Sequence, residues 1–426
     1  MRTSVLWLLA IALCLQTLFL GNHILNFPLQ ATSDTQDYVR YAELISNWHS
    51  PYSNPSDILT IRTPGFPVLI ALANALFGPD LRSIALMHGC LAVTTLILSV
   101  LILRKHFHPM VCGSTVMVLF LLARHLATYL MSEWTALCLL IVLAALLISY
   151  YQQASLYKIG AISLVITLAV LTRPALLPAL SLPFIIWYFD RVADNYRVGL
   201  YIFCGLIPLL LLIALRWTET GRMGITPFGG ISIAGLASSL PAAKVTSAAD
   251  LELTELENAF RAKGAVVQDV REFQYSEAAY NWNIWNVAEE VRRNKGWSFE
   301  KHNKLMWRYA LNIISQQPLT FLVRVATQFI YQIRHIGMAE WVLLLGGTLS
   351  LFMYRIDFRW KALLKASLAM AFVHFCHILI CCATNVVLDR FFAVTFYPVA
   401  FCLTLSLIAG IIRKLEHSTN SLKPQI

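Results

Sequence analysis

Two short polar segments hold the residues best suited to chemistry. The first, S-D-T-Q-D-Y-V-R-Y-A over 33–42, carries the carboxylates Asp34 and Asp37. The second, I-R-T-P-G-F-P over 61–67, carries Arg62 just ahead of Pro64, Gly65 and Pro67. An ionised aspartate facing a hydroxyl can accept its proton as a general base. An arginine stays charged and offers a planar fork of donors, so it can neutralise the charge that grows on a phosphate leaving group. Carboxylates, a guanidinium and a rigid turn at a membrane surface are the inventory for chemistry on a phosphate-bearing lipid.

These residues need elements to position them. Ser33 followed by Gln36 has capping-box spacing, which predicts a helix beginning at Asp34. Along it Tyr38, Tyr41, Ala42, Ile45 and Trp48 form an apolar stripe that can rest on the membrane or on a helical bundle. The helix dipole alone would favour a carboxylate at Asp34. It explains neither Asp37 nor the Arg62 turn, whose two prolines and glycine predict a sharp re-entry into an apolar helix from Val68 to Phe77.

The rest of the chain reads as membrane protein. It has 426 residues, is 58% hydrophobic and only 13% charged, with mean hydropathy +0.64. The net charge of +10 would raise nucleic acid as a partner, but the basic residues sit in short loops between apolar runs. Such runs occur near 4–22, 82–103, 109–124, 132–150, 158–172, 175–189, 198–216, 339–354, 362–382 and 392–412. The first is read as an uncleaved span, because its apolar region is long for a signal peptide and no small-residue cleavage site follows. With the N-terminus inside, every cytoplasmic turn is basic: Arg2, Arg104-Lys105, Lys158, Arg191 and Arg197, Arg355 to Lys361, and Arg413-Lys414. The expected fold is an all-α integral membrane bundle of about ten transmembrane helices, within a range of nine to twelve, with both termini cytoplasmic. The segment 318–335 is apolar, but Arg324, Gln328, Gln332 and Arg334 would have to sit in lipid, so it reads as an amphipathic interfacial helix.

Three regions follow. Residues 1–216 form an N-terminal transmembrane half with a first outer loop at 23–81. Residues 217–338 form a second outer region, opening on a glycine-rich stretch (224–235), and 339–426 return to the membrane and a short cytoplasmic tail. Trp282, Trp285, Trp297 and Trp307 in the second loop read as membrane anchors, with sugar platforms the alternative. No separable soluble domain stands out. The cysteines lie in or beside apolar runs, with no disulfide framework, and Cys381-Cys382 reads as helix packing. The histidines show no H-x-x-x-H spacing, so no metal site is expected, although assistance by a divalent cation stays open.

The arrangement D-x-x-x-Y-x-x-x-A, then R-x-P-G-F-P leading into L-x-x-x-L-F-G, resembles the first-loop signature of the GT-C glycosyltransferases. The branch it resembles holds the protein O-mannosyltransferases and the lipid A aminoarabinose transferase, in their bacterial forms. L-T-R-P-A (171–175) is similar to the family's Arg-Pro step, and D-R-F-F-A-V-T-F-Y-P (389–398) to its motif before the final span, with Phe391 where tyrosine is usual. Glu133 matches an acidic residue common at the start of the fourth span. The resemblance implies inverting transfer of a sugar from a polyprenyl-phosphate donor to a hydroxyl of a glycan, lipid or protein acceptor, on the outer face of the bacterial cytoplasmic membrane. It aligns Asp34, four residues before Tyr38, with the catalytic aspartate, and Asp37 is the rival. Arg62 and Arg390 would hold the phosphate, with Arg173 a third. Arg173 and Arg390 could equally snorkel to lipid headgroups, and Glu133 and Asp389 could equally be ordinary ion-pair partners.

Two other classes compete. A multi-pass transporter or flippase would place its polar residues at the bilayer midplane, often with a repeat between halves. Here they gather at span ends. An outer-face polysaccharide polymerase or ligase would not be expected to carry the paired first-loop motifs.

Overall fold

The computed structural model describes residues 29–54, 57–190, 195–221, 223–226, 228–238, 240, 251–264, 279–334, 341, 344–349, 358–384 and 389–421. Within them the chain is helical, apart from turns and one isolated bridge between Gln30 and Tyr129.

Helix α1 (Ser33–Ser46) begins one residue before the expected position, because its capping box is Thr32 with Thr35 and not Ser33 with Gln36. The reason is tertiary. The Thr35 hydroxyl also donates to the Leu130 carbonyl at 3.1 Å, and the Thr32 hydroxyl donates to the Met131 sulfur at 3.1 Å. Tyr38, Tyr41 and Ala42 are buried as the stripe predicts, but Trp48 lies past the helix end at φ 57° and is 95% exposed.

The bundle continues with α2 (Gly65–Phe77), α3 (Leu81–Leu103), α4 (Pro109–Leu122), α5 (Arg124–Thr128), α6 (Ser132–Gln152), α7 (Leu156–Thr172), α8 (Leu182–Asp190) and α9 (Asn195–Thr220). Helix α6 is its axis, buried along nearly its whole length. A second group comprises α10 (Gly229–Ser238), α11 (Leu251–Lys263), a π-helical run Asn283–Ala288 leading into α12 (Glu289–Asn294), α13 (Phe299–Gln316) and α14 (Pro318–Arg334). Then α15 (Phe358–Thr384) and α16 (Asp389–Ser421) return to pack on α6.

Among the described residues, Leu81–Leu103, Ser132–Gln152, Arg197–Thr220 and Trp360–Ala383 are long and apolar enough to cross a membrane. The expected spans at 109–124, 158–172 and 392–412 fall on shorter apolar helices. The 14 residues of α4 rise only about 21 Å against a hydrocarbon core of about 30 Å. The run at 175–189 is divided, with a 3₁₀ segment Pro174–Ser181 around Pro178 preceding α8. The run at 4–22 lies outside the described residues, and most of 339–354 does too. Lys158, expected as a charge facing the cytoplasm, is buried instead. Its ammonium donates to the Ser149 and Gln153 carbonyls at 2.8 and 2.7 Å, closing the end of α6.

Residues 217–338 are more than a loop, since α10 to α13 surround a hydrophobic core of their own that Ile61 joins from the first loop. The glycine-rich stretch serves close packing: a Cβ on Gly230 would lie 2.2 Å from the Asn303 carbonyl, and one on Gly235 would lie 2.5 Å from Ile284. Trp297 is part of this core and no anchor, whereas Trp282 and Trp307 are exposed. This cap layer is tied to the bundle by Arg216 near the end of α9. Its guanidinium pairs with Glu300 at 2.6 Å and lies 5.4 Å over the Tyr52 ring, while the Tyr52 and Tyr41 hydroxyls approach to 3.2 Å.

Helix α14 is amphipathic as expected, but its polar face points inward. Arg324 and Gln328 are each 1% exposed, while Leu319, Leu322, Val323 and Ile330 face out. Those two polar side chains are therefore shielded from lipid by the protein itself.

One glycine fixes how two of the sequence motifs meet. A Cβ on Gly65 would fall 2.6 Å from the Leu171 carbonyl carbon and 2.7 Å from the Thr172 nitrogen. The start of α2 thus lies backbone to backbone on the end of α7. Gly65→Ala must push the two apart, at a cost of about 1–3 kcal/mol or more. Thermal unfolding in detergent should show that loss for Gly65→Ala and none for Gly199→Ala, whose Cβ meets open space. Equal midpoints for the two variants would refute the close-packing account.

The cap layer should also be acid-sensitive. Burial, opposed by Glu289 and reinforced by Arg292, pulls His302 down to about 4. The unfolded chain takes up this proton near pH 6.5 and the folded chain only near 4, so stability is full above 6.5 and declines as pH falls between those values. The loss is on the order of 3 kcal/mol. The buried Trp297 ring lies 6.4 Å from His302, so tryptophan fluorescence should report loosening over that window. In His302→Gln the dependence should flatten, and an unchanged profile would exclude His302 as its source.

Candidate active site

The site is built on α1. Its first turn is pinned to the segment ahead of α6: the Gln30 amide donates to Thr128, the Leu130 amide donates to Gln30, and the Thr32 and Thr35 hydroxyls reach residues 130–131. Asp34 and Asp37, three residues apart, therefore share one face of a helix whose start is fixed against the residues preceding Glu133.

Arg62 reaches that face from the next turn. Asp57 caps the 3₁₀ turn Ile58–Ile61 through the Leu59 amide at 3.0 Å and also forms an ion pair with Arg40 on α1. Arg62 follows the turn as its C-cap. One of its terminal nitrogens, Nη2, donates to Asp34 Oδ1 at 2.5 Å and to Asp37 Oδ2 at 2.7 Å. The guanidinium also lies 5.3 Å over the Tyr38 ring, a cation–π contact worth about 1–2 kcal/mol in a shielded setting. Burial opposes the Arg62 charge, but Tyr38, Asp34 and Asp37 outweigh it and raise its pKa, so the guanidinium is permanently charged. Burial likewise raises the Tyr38 phenol, which keeps it protonated and available as a donor.

Beneath this cluster the second carboxylate–arginine pair closes the floor. Glu133, fully buried at the start of α6, pairs with Arg173 at 3.2 Å. Arg173 follows α7 directly after the Leu171–Thr172 backbone on which Gly65 sits. Pro64 is the N-cap of α2 at φ −77°, and two residues after it Phe66 is buried in the core. Phe66 meets Tyr38 edge-on at 5.2 Å, and His88 and Trp134 continue the aromatic column below.

The structure thus brings Asp34, Asp37, Tyr38, Arg62, Pro64 and Gly65 into one cluster, and packs Glu133 and Arg173 against its base. Asp389 and Arg390 occupy the first turn of α16, with side chains outside the described residues. Among the described residues no group of three His, Cys, Asp or Glu side chains is placed to hold a metal ion.

Tyr280, in the cap layer just before the π-helical run, was not singled out from sequence. Its buried phenol is raised by desolvation first, with Cys381 and Asp34 close enough to add to the shift. No local pattern marks it, because only the folding of the cap onto the bundle brings it near Asp34.

No protein-family model matches the chain, and no curated protein matches it. Two solved structures are similar in layout. One is an oligosaccharyltransferase from Archaeoglobus fulgidus, tethered by a disulfide to an acceptor peptide containing the NVT sequon. It is 13% identical with a TM-score of 0.46, over 98% of this chain and 51% of that one. The other is ArnT from Cupriavidus metallidurans bound to undecaprenyl phosphate, 14% identical with a TM-score of 0.35, over 100% of this chain and 82% of that one. This chain spans about half the length of the archaeal protein. Both likenesses are loose, with TM-scores below 0.5, and residue roles rest on this chain's own geometry.

Proposed function

We propose that the chain is an inverting glycosyltransferase of the GT-C type, moving a sugar from a polyprenyl-phosphate donor to an acceptor hydroxyl on the outer face of the cytoplasmic membrane. The observation that carries this reading is the single Arg62 nitrogen shared by Asp34 and Asp37. One guanidinium cannot fully satisfy two carboxylates and a phosphate together, so an arriving phosphate would draw Arg62 toward itself and release a carboxylate beside the reacting carbon.

The more exposed carboxylate suits the base. The Asp34 side chain is 35% exposed and that of Asp37 17%, so an acceptor hydroxyl reaches Asp34 more readily. In the transfer, the acceptor oxygen bonds to the anomeric carbon as the bond from that carbon to the phosphate oxygen breaks. Asp34 takes the hydroxyl proton, and the electron pair leaves on the lipid phosphate, where Arg62 neutralises it. Asp37 keeps Arg62 aimed, and Tyr38 supports the guanidinium from below. Arg390 is assigned to the same phosphate. Arg173, held by Glu133, positions the floor of the site and comes to the phosphate only by giving up that partner. The acceptor belongs to one of the glycan, lipid or protein classes.

Transfer of radiolabelled sugar from a synthetic polyprenyl-phosphate donor by the purified protein tests the reading. Asp34→Asn should lower kcat by about 10²–10⁴-fold, the usual range for losing a general base. Asp37→Asn should cost about tenfold, and Arg62→Ala should act mainly on use of the donor. If Asp34→Asn and Asp37→Asn both keep full transfer, the catalytic assignment is wrong. A fall in Tm for Arg62→Ala as large as its loss of transfer would count against the phosphate role.

A further inference from the structure

The two halves of the aspartate–arginine cluster are rooted in different cores. Helix α1 packs on the bundle through Tyr38 and Ala42 and is pinned there by Thr32 and Thr35. The turn that ends on Arg62 packs on the cap layer instead, with Ile61 inside its core and Ile58 against it. Phe66, a little further along the chain, is back in the bundle core. The Ile61–Arg62 peptide therefore lies where the chain crosses from one core to the other, and the bonds from Arg62 to Asp34 and Asp37 span the same boundary.

That peptide is held at both ends. Its N–H, on Arg62, donates to the Leu59 carbonyl at 3.0 Å within the 3₁₀ turn. Its carbonyl, on Ile61, accepts from the Thr226 hydroxyl at 2.6 Å, across 165 positions of sequence. Thr226 is braced from both cores in turn, since Ile225 packs on the bundle and Phe228 on the cap. Phe228 stacks on Trp285 with ring centroids 6.0 Å apart, and the Gly230 amide donates to the Asn303 side chain at 2.7 Å. A peptide unit is planar, so fixing its oxygen and its nitrogen together fixes where the Arg62 Cα sits.

We infer that Thr226 is a positioning residue for Arg62: its hydroxyl, supplied by the segment joining α9 to α10, sets the peptide from which the guanidinium reaches the lipid phosphate. This rests on the transferase reading above, in which Arg62 holds that phosphate. A long arginine side chain loses much freedom when it is held, and an anchored root leaves less of that freedom to be lost when the phosphate arrives. Valine at this position keeps the shape of the side chain and removes the donor, whereas serine keeps the donor. At the other end of the same segment, Arg216 ties cap to bundle through Glu300 and Tyr52. Weakening that second tie separates a general loosening of the cap from the loss of the one bond on the Ile61 carbonyl.

The test measures binding of bare polyprenyl phosphate to the full-length protein in nanodiscs, with phosphatidylglycerol as the reference lipid. Thr226→Val should raise the Kd about three- to tenfold, the range expected for one hydrogen bond. Thr226→Ser and Glu300→Gln should each stay within about twofold of wild type. The inference is overturned if Thr226→Val keeps the wild-type Kd, if Thr226→Ser binds as weakly as Thr226→Val, or if Glu300→Gln weakens binding as much. A Thr226→Val protein that unfolds well below Glu300→Gln on heating would make the bond a prop for the fold, and would overturn the inference as well. Wild-type protein that binds polyprenyl phosphate no better than phosphatidylglycerol would instead overturn the transferase reading, and this inference with it.

Discussion

Arg62 is a largely shielded cation at the edge of an apolar bundle, and much of this architecture satisfies that one charge. Removing a partner from a shielded ion pair is costly, because the remaining charge is left with less water and no counter-ion. Here the partners are two aspartates on a single helix face and the π-face of Tyr38. Meeting them requires α1 to be held by its first turn, the Ile58–Ile61 turn to be capped by Asp57, and the Pro64-Gly65 turn to aim the chain. Each of these is a local device, and each is set by the position the guanidinium must reach.

The second constraint is close approach. Gly65 lets α2 and α7 meet through their backbones just ahead of Arg173, and Glu133 then neutralises Arg173 from α6. The two carboxylate–arginine groups place three carboxylates and two guanidiniums in a shielded volume, one carboxylate more than the arginines match. Such an arrangement costs stability compared with an apolar core and is characteristic of sites that handle charge.

The cap layer adds a different kind of element. It has its own hydrophobic core and joins the bundle through Arg216, Glu300 and the Tyr41–Tyr52 contact. Tyr41 lies on α1, one turn from Asp37, so the contacts that run from Glu300 through Arg216 and Tyr52 end on the helix that carries the carboxylates. Helix α14 completes the enclosure with an inverted polarity, its apolar residues outward and Arg324 and Gln328 inward. That pattern is legible in sequence as amphipathicity, but its direction is not, since a helical wheel does not say which face meets lipid.

The sequence by itself determined that the chain is helical and apolar, that Asp34, Asp37 and Arg62 belong near one another, and that a rigid turn separates Arg62 from an apolar helix. Those features are local: hydropathy, spacing and the fixed φ of proline act over a few residues. The tertiary structure alone decided that Thr32 and Thr35, and not Ser33 and Gln36, cap α1, since their hydroxyls also answer to residues 130–131 across the bundle. It also decided that Trp297 is core, that Lys158 closes a helix, and that Tyr280 comes within reach of Asp34. These depend on contacts between residues tens to hundreds of positions apart, which no local pattern records. The same holds for Asp34 and Asp37: their spacing placed both on one face, and only the packed site made one more open than the other.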